Sequence, residues 1–169
     1  MPDFGNGKEF TEFYNQYKAG VYRFCCRILN RPEDANDVVQ DVFIKLYEQG
    51  VRFNGESSVK VWLYKSARNK CLNVIRDRSK LTNLGSDDDK TIATDIVSSD
   101  YDDSAAMVTR LLDQLAVEYR EVLILREWND LNYEEIAAAL ETTVPAVKSR
   151  LFKARKKAGE IYRKLYGDE

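Results

Sequence analysis

The sequence predicts an all-α fold made of two small helical domains, joined by a flexible acidic linker, with a helix-turn-helix in the second domain. Three observations predict it. Apolar residues recur at helical spacing, with almost none of the alternation that marks a strand. A polar stretch at 81–104 has little apolar periodicity and divides the chain. Near the C-terminus, a capping pattern precedes a short helix, a turn and a basic helix.

Three helices are predicted before the linker, at about 9–29, 32–49 and 57–78, with breaks marked by Asn30 and Gly55. On the second helix, apolar residues form one stripe that we expect to be buried. They are Ala35, Val38, Val39, Val42 and Leu46. The opposite stripe is polar and consists of Asp37, Gln40, Asp41, Lys45 and Glu48.

Four helices are predicted after the linker, at about 105–115, 117–128, 133–140 and 144–166. Four helices in so short a stretch predict a small bundle. The domain boundaries are therefore placed at 1–80 for the first domain, 81–104 for the linker and 105–169 for the second domain.

The third of these helices begins at a capping box, because Asn132 is followed three residues later by Glu135. Leu131 and Ile136 are spaced to form a hydrophobic staple across the same helix start. A short turn follows, and Thr143 is suited to cap the last helix. The layout is that of a helix-turn-helix.

The last helix is predicted to turn apolar residues inward, namely Val147, Leu151, Ala154, Ala158 and Ile161. Its outward face is basic and contains Lys148, Ser149, Phe152, Lys153 and Lys156. A helix that reads the major groove needs such a face, since cations neutralise phosphates and donate to guanine edges. A simply solvated helix end would look the same, so these residues alone leave DNA binding open.

The net charge of −2 hides an uneven distribution. Residues 1–80 hold 14 basic and 10 acidic side chains, which gives +4. Residues 81–104 hold 1 basic and 7 acidic side chains, which gives −6, and the 11 of each in 105–169 cancel. The acid is concentrated in the linker, and an overall negative charge does not exclude a nucleic-acid binder.

Several functional classes are disfavoured by composition. The chain has no histidine and three cysteines without a CxxC motif, so we expect no metal site, no cofactor and no disulfide framework. No catalytic spacing is recognisable, which argues against an enzyme. Since no apolar run is long enough to span a membrane and no signal peptide precedes the helices, we expect a cytoplasmic protein without membrane insertion.

Two segments resemble a known family, the extracytoplasmic-function sigma factors. DQLAVEYREVLILREWNDLNYEEIAAALETTVPAVKSRLFKARKKA, at 113–158, resembles their region 4, which reads the promoter −35 element. PEDANDVVQDVFIKLYEQ, at 32–49, and FNGESSVKVWLYKSARNKCLNVIRDRSK, at 53–80, resemble their region 2. One departure is Leu115-Ala116, where the family often has a proline after the leucine, and it affects only where the next helix begins.

The resemblance implies three sets of contact residues. The positions matching the polymerase-binding set are Asp37, Gln40, Asp41 and Lys45. For −10 recognition and strand opening the candidates are Phe53, Ser57, Trp62, Lys65, Arg68, Asn69 and Lys70. For the −35 element they are Lys148, Ser149, Phe152 and Lys153, with Arg126 and Arg150 as phosphate anchors.

The resemblance implies core RNA polymerase as a partner, through the clamp of its largest subunit and its flap, together with promoter DNA. An anti-sigma factor, a common partner in the family, is a further hypothesis. Two alternatives remain. A stand-alone helix-turn-helix regulator would bind its operator without polymerase. A pure interaction protein would bind only protein partners and would show no DNA selectivity.

Overall fold

The computed structural model describes residues 7–50, 52–82 and 103–167. Over these residues it contains seven helices and no strand, which confirms the predicted all-α class. They form two compact units, one within Met1–Ala93 and the other within Thr94–Glu169. The helices are α1 (Gly7–Leu29), α2 (Pro32–Gln49), α3 (Glu56–Thr82), α4 (Asp103–Gln114), α5 (Val117–Glu127), α6 (Tyr133–Ala139) and α7 (Val144–Tyr166). None of the described helices is long and apolar enough to cross a membrane.

In unit 1, helices α1, α2 and α3 pack against one another in every pairing. The chain turns between α1 and α2 at Asn30, which takes a left-handed conformation with φ 55° and donates its N–H to the carbonyl of Cys26 at 2.8 Å. Pro32 then opens α2, where its missing N–H costs nothing. Gly50 ends α2 with φ 56°, a conformation that glycine adopts without strain.

The predicted apolar stripe of α2 is confirmed as buried. Helix α3 is longer than the predicted 57–78, because it begins at Glu56 and runs to Thr82. Arg78, near the end of α3, donates to the carbonyl of Leu29 at 3.2 Å and pairs with Asp34, and these long-range contacts support the additional last turn. These bonds tie the last turns of α3 to the corner between α1 and α2.

Phe53 lies in the core of unit 1 and is only 3% exposed. Its ring centroid is 6.2 Å from that of Phe13, with the rings nearly parallel, and 6.2 Å from that of Trp62 in an edge-on contact. The resemblance to region 2 predicts Phe53 as a −10 DNA contact, which its burial does not support. Its burial against Phe13 and Trp62 indicates that it packs the core of unit 1.

Unit 2 is organised around α7, against which α4, α5 and α6 all pack. Its helix bounds differ from the predicted ones by one or two residues, as is usual at fraying ends. Because α3 continues to residue 82 and α4 starts at residue 103, helices occupy both ends of the predicted 81–104 linker. The rest of that linker lies outside the described residues.

Candidate polymerase and DNA surfaces

The first surface is a polar stripe on α2, here called the docking face, formed by Asp37, Gln40, Asp41 and Lys45. All four side chains are exposed, and none makes a hydrogen bond or ion pair with another residue in the described part of the chain. They occur at i, i+3, i+4 and i+8, which places them along one side of the helix. The docking face is thus a row of exposed polar side chains on a helix whose opposite side is packed in the core.

An exposed apolar patch adjoins the docking face and was missed by the sequence reasoning. Ile44 is 53% exposed and Tyr47 is 51% exposed. Tyr47 is supported from α1 by the ring of Phe10, with centroids 5.0 Å apart. Ile44 follows Asp41 by three residues and lies off the buried stripe, so helical spacing would have revealed it. Large apolar groups exposed beside polar ones are typical of protein interfaces.

The second surface is the outer side of α3, here called the strand face, formed by Trp62, Lys65 and Asn69. These residues lie opposite the buried residues Leu63, Ala67 and Cys71 of the same helix. Asn69 is exposed, whereas Trp62 and Lys65 are half-buried. Arg68 and Lys70, also predicted for this site, lie on the two flanks of the strand face rather than on it.

The loop before α3 is shaped by Ser58. The N–H of Asn54 donates to the Ser58 hydroxyl at 2.9 Å, and that hydroxyl donates to the carbonyl of Gly55 at 3.0 Å. Gly55 has φ 96°, where a side chain would be strained. Ser57, the predicted loop contact, is exposed in the first turn of α3.

The helix-turn-helix of unit 2 forms as the sequence predicts. In the capping box, Glu135 N–H donates to the Asn132 side chain at 2.8 Å, and Asn132 N–H donates to the Glu135 carboxylate at 3.3 Å. Thr143 caps α7 by accepting from the N–H of Ala146 at 3.3 Å. Both staple residues, Leu131 and Ile136, are fully buried. The capping interactions therefore define where α6 and α7 begin.

The third surface, here called the recognition face, is the exposed side of α7 formed by Lys148, Ser149, Phe152 and Lys153. Phe152 is 71% exposed, which is a high exposure for a large apolar side chain. Of the five residues predicted to point inward on α7, Val147, Leu151 and Ala154 are buried. Ala158 and Ile161 are only half-buried.

The two predicted phosphate anchors of unit 2 are both engaged within the protein. Arg150 lies 3.7 Å from the carboxylate of Glu121, whose side chain is 3% exposed. Arg126 donates to the carbonyl of Leu131 at 3.0 Å and stacks on Tyr133, with its guanidinium carbon 4.7 Å from the ring centroid. Arg150 is thus used to neutralise a buried carboxylate, a role that the sequence reasoning did not identify.

The three cysteines, Cys25, Cys26 and Cys71, are buried and form no disulfide. A hydrogen bond with Cys71, together with burial, raises the pKa of the Cys25 thiol well above its ordinary value. Burial likewise raises the pKa of Cys26. Among the described residues, no cluster of histidine, cysteine or carboxylate side chains is arranged to hold a metal ion.

Comparison with known proteins matches each of the two units to a family model. Residues 13–81 match the family model for sigma-70 region 2, and residues 105–157 match the model for sigma-70 region 4. The ECF RNA polymerase sigma-E factor of Escherichia coli K12 is 32% identical over 164 residues, covering 89% of this chain and 85% of that protein. The ECF RNA polymerase sigma factor SigM of Bacillus subtilis is 28% identical, covering 94% of this chain and 98% of that protein.

Solved structures agree with this fold. The sigma factor RpoE of Bartonella quintana, crystallised with the anti-sigma factor NepR, aligns with a TM-score of 0.76 at 21% identity, covering 92% of this chain and 98% of that one. CnrH, solved with the cytosolic domain of CnrY, aligns with a TM-score of 0.71 at 23% identity, covering 98% of this chain and 92% of that one. With both family models in order along one chain, and a relative above 30% identity over most of its length, this chain belongs to the extracytoplasmic-function (group 4) sigma factors of the sigma-70 family.

Proposed function

We propose that this sigma factor binds core RNA polymerase through the docking face and directs initiation at promoters read by the strand face and the recognition face. Sigma factors are DNA-binding transcription initiation factors, and we propose that this chain is not itself an enzyme. The observation that carries the proposal is the docking face, four exposed polar groups without partners in the described residues, on a chain that also presents a basic recognition helix.

Docking is proposed to occur on the clamp of the polymerase largest subunit, with a further contact from unit 2 to the flap. Asp37, Asp41, Gln40 and Lys45 would supply charged and amide contacts, which give specificity and register more than affinity. Ile44 adjoins them and would supply apolar burial at the centre of the same interface.

At the −10 element, the strand face combines a ring, a cation and an amide in the way that single-stranded DNA requires. Bases stack on Trp62, while Lys65, Arg68 and Lys70 follow the phosphates of the melted strand. Asn69 is exposed and its amide can both donate to and accept from a flipped base. Ser57 would line the edge of this pocket, and Phe53 would support Trp62 from the core.

At the −35 element, α7 would enter the major groove with its N-terminal half. Lys153 can donate to guanine edges, Lys148 can reach a guanine edge or the phosphate beside it, and Phe152 can contact a thymine methyl group. Ser149 can bond either a base or a phosphate. Arg126 stays a candidate phosphate anchor at the rim of this surface, whereas Arg150 would contribute only its long-range charge.

The proposed domains are a region 2-like part at 1–80 and a region 4-like part at 105–169, separated by the acidic stretch 81–104. We further propose that an anti-sigma factor holds the protein inactive, by analogy with the Bartonella quintana sigma factor, which was solved with the anti-sigma factor NepR. The protein would then act in the cytoplasm, where polymerase and chromosome are.

Fluorescence anisotropy with a labelled promoter fragment tests the proposal. The protein alone should bind weakly, because its net charge is −2, and addition of core polymerase should produce selective binding. The Asp37→Arg/Asp41→Arg variant should lose the polymerase-dependent signal. Glu12→Arg/Asp77→Arg, which reverses two exposed carboxylates of unit 1 outside the docking face, is the matched control and should keep it. Tight selective binding without polymerase would favour a stand-alone regulator.

A further inference from the structure

Three basic side chains gather around one aromatic ring in unit 2. The guanidinium carbon of Arg126 lies 4.7 Å from the ring centroid of Tyr133, and the ammonium nitrogen of Lys148 lies 5.6 Å from it. Arg155 also interacts with Tyr133, while donating to Glu127 at 2.8 Å. Tyr133 is the first residue of α6, so it stands where the end of α5, the start of α6 and the first turns of α7 meet.

Two of the cations at this ring, Arg126 and Lys148, have no ion-pair partner among the described residues. Glu127 is paired with Arg155, and the Glu135 side chain is turned to the N–H of Asn132. Glu134 and Asp130 are nearby in the chain but exposed to solvent. In the described residues, no carboxylate lies within ion-pair distance of Arg126 or Lys148. Two like charges on one ring repel each other, and an anion placed between them would remove that repulsion.

The ring itself lowers the repulsion before any anion binds. The face of an aromatic ring is negative, so a cation over it is attracted by the ring quadrupole. Arg126 is further fixed by its bond to the carbonyl of Leu131 at 3.0 Å. The two cations are thereby held together rather than left to separate in solvent. Such an arrangement is organised in advance for one anionic group.

The position of the cluster indicates which anion it takes. Lys148 belongs to the recognition face and lies in the N-terminal part of α7, the part that reaches the bases in a helix-turn-helix. Groups at the rim of that surface face the phosphodiester backbone. Since Arg150 is used by Glu121, the cluster also offers the anchor that Arg150 was predicted to supply.

We propose that Tyr133 is a positioning residue that holds Arg126 and Lys148 together for a single DNA phosphate at the edge of the −35 contact. Its ring gathers the two cations. The proposal rests on the proposed function of the recognition face and adds to it a site that the contact residues named above did not include.

The test compares Tyr133→Leu with Tyr133→Phe in the full chain bound to core polymerase. Promoter affinity is measured over a range of KCl concentrations. The leucine variant, which loses the ring, should lower affinity by roughly fivefold to tenfold and reduce the salt slope by about 1. The phenylalanine variant keeps the ring and should stay within about threefold with an unchanged slope. Tyr162→Leu, at an exposed ring farther along α7, is the control and should change neither.

A role limited to folding would lower thermal stability without changing the salt slope of the folded protein. If the Tyr133→Leu variant kept the wild-type promoter affinity and salt slope, the proposal would be overturned. Selective promoter binding by the wild-type holoenzyme in the same experiment would leave the proposed function intact. Loss of selectivity in the wild-type holoenzyme would overturn both.

A second measurement does not depend on how well the leucine variant folds. Arg126→Gln and Lys148→Gln should each reduce affinity, and the double variant should lose clearly less than the sum, because both cations serve one phosphate. Full additivity of the two losses would show that they bind separate phosphates and would overturn the proposal.

Discussion

The ion pair between Glu121 and Arg150 joins α5 to the recognition helix, and removing only one of its two charges should destabilise unit 2. Glu121 is 3% exposed at its side chain and Arg150 is 28% exposed, with nitrogen and oxygen 3.7 Å apart. This difference in exposure predicts an asymmetry. Removing the arginine takes a charged partner away from a carboxylate that is almost fully buried, whereas removing the carboxylate leaves a guanidinium that already touches solvent.

Arg150→Met should therefore lower the free energy of unfolding of unit 2 by about 3 kcal/mol, near the lower end of what breaking a buried pair costs. Glu121→Met should cost less, about 1 kcal/mol, because the remaining charge is partly screened by solvent. The double variant replaces both charges with apolar side chains and should lie within about 1 kcal/mol of the wild type.

The assay is urea denaturation followed by tryptophan fluorescence. The chain has two tryptophans, Trp62 in unit 1 and Trp128 in unit 2. In a Trp62→Phe background the signal reports unit 2 alone, which separates its transition from that of unit 1. Equal costs for the two single variants, or a double variant as unstable as their sum, would refute the reasoning.

Three further predictions concern unit 1. Ile44→Ser should weaken binding of core polymerase by about tenfold with little change in thermal stability, measured by anisotropy and calorimetry; unchanged affinity would remove Ile44 from the interface. Phe53→Ala should lower the free energy of unfolding, measured by urea denaturation, by about 3 kcal/mol, because the ring is part of the core. Normal stability together with defective promoter opening would instead indicate that Phe53 contacts DNA. Cys25 and Cys71 should resist alkylation by iodoacetamide at neutral pH until the protein is denatured, because the hydrogen bond between them and burial raise the pKa of Cys25. The number of labels is counted by intact-protein mass spectrometry. Rapid labelling of the folded protein would contradict this prediction.

The helices of this fold could be predicted largely from local signals. Pro32 and the run of apolar residues after it place α2, and Asn132, Glu135 and Thr143 place the two helices of the helix-turn-helix. Each of these signals acts within one helical turn, so no knowledge of tertiary contacts is needed. The end of α3 could not be predicted in this way, because it depends on bonds from Arg78 to residues more than 40 positions earlier.

The candidate sites likewise include some features that local sequence patterns predict and some contacts that they do not. Exposure of the docking face and of Phe152 follows from helical spacing alone. The contacts that Arg150 and Arg126 make within the protein do not follow from helical spacing. A basic residue on a half-exposed face looks the same in sequence whether it contacts a DNA phosphate or a buried carboxylate. Phe53 is similar, since an aromatic residue in a loop gives no sign that Phe13 and Trp62 enclose it.

Run-off transcription tests the central claim most directly. Core polymerase is incubated with this protein on a fragment taken from upstream of the protein's own gene, and transcripts are compared with those made by core polymerase alone. A new transcript with a fixed start, lost in Asp37→Arg/Asp41→Arg and kept in Glu12→Arg/Asp77→Arg, is the predicted result. Absence of any promoter-specific transcript, with selective binding of the same fragment by the protein alone, would contradict the account.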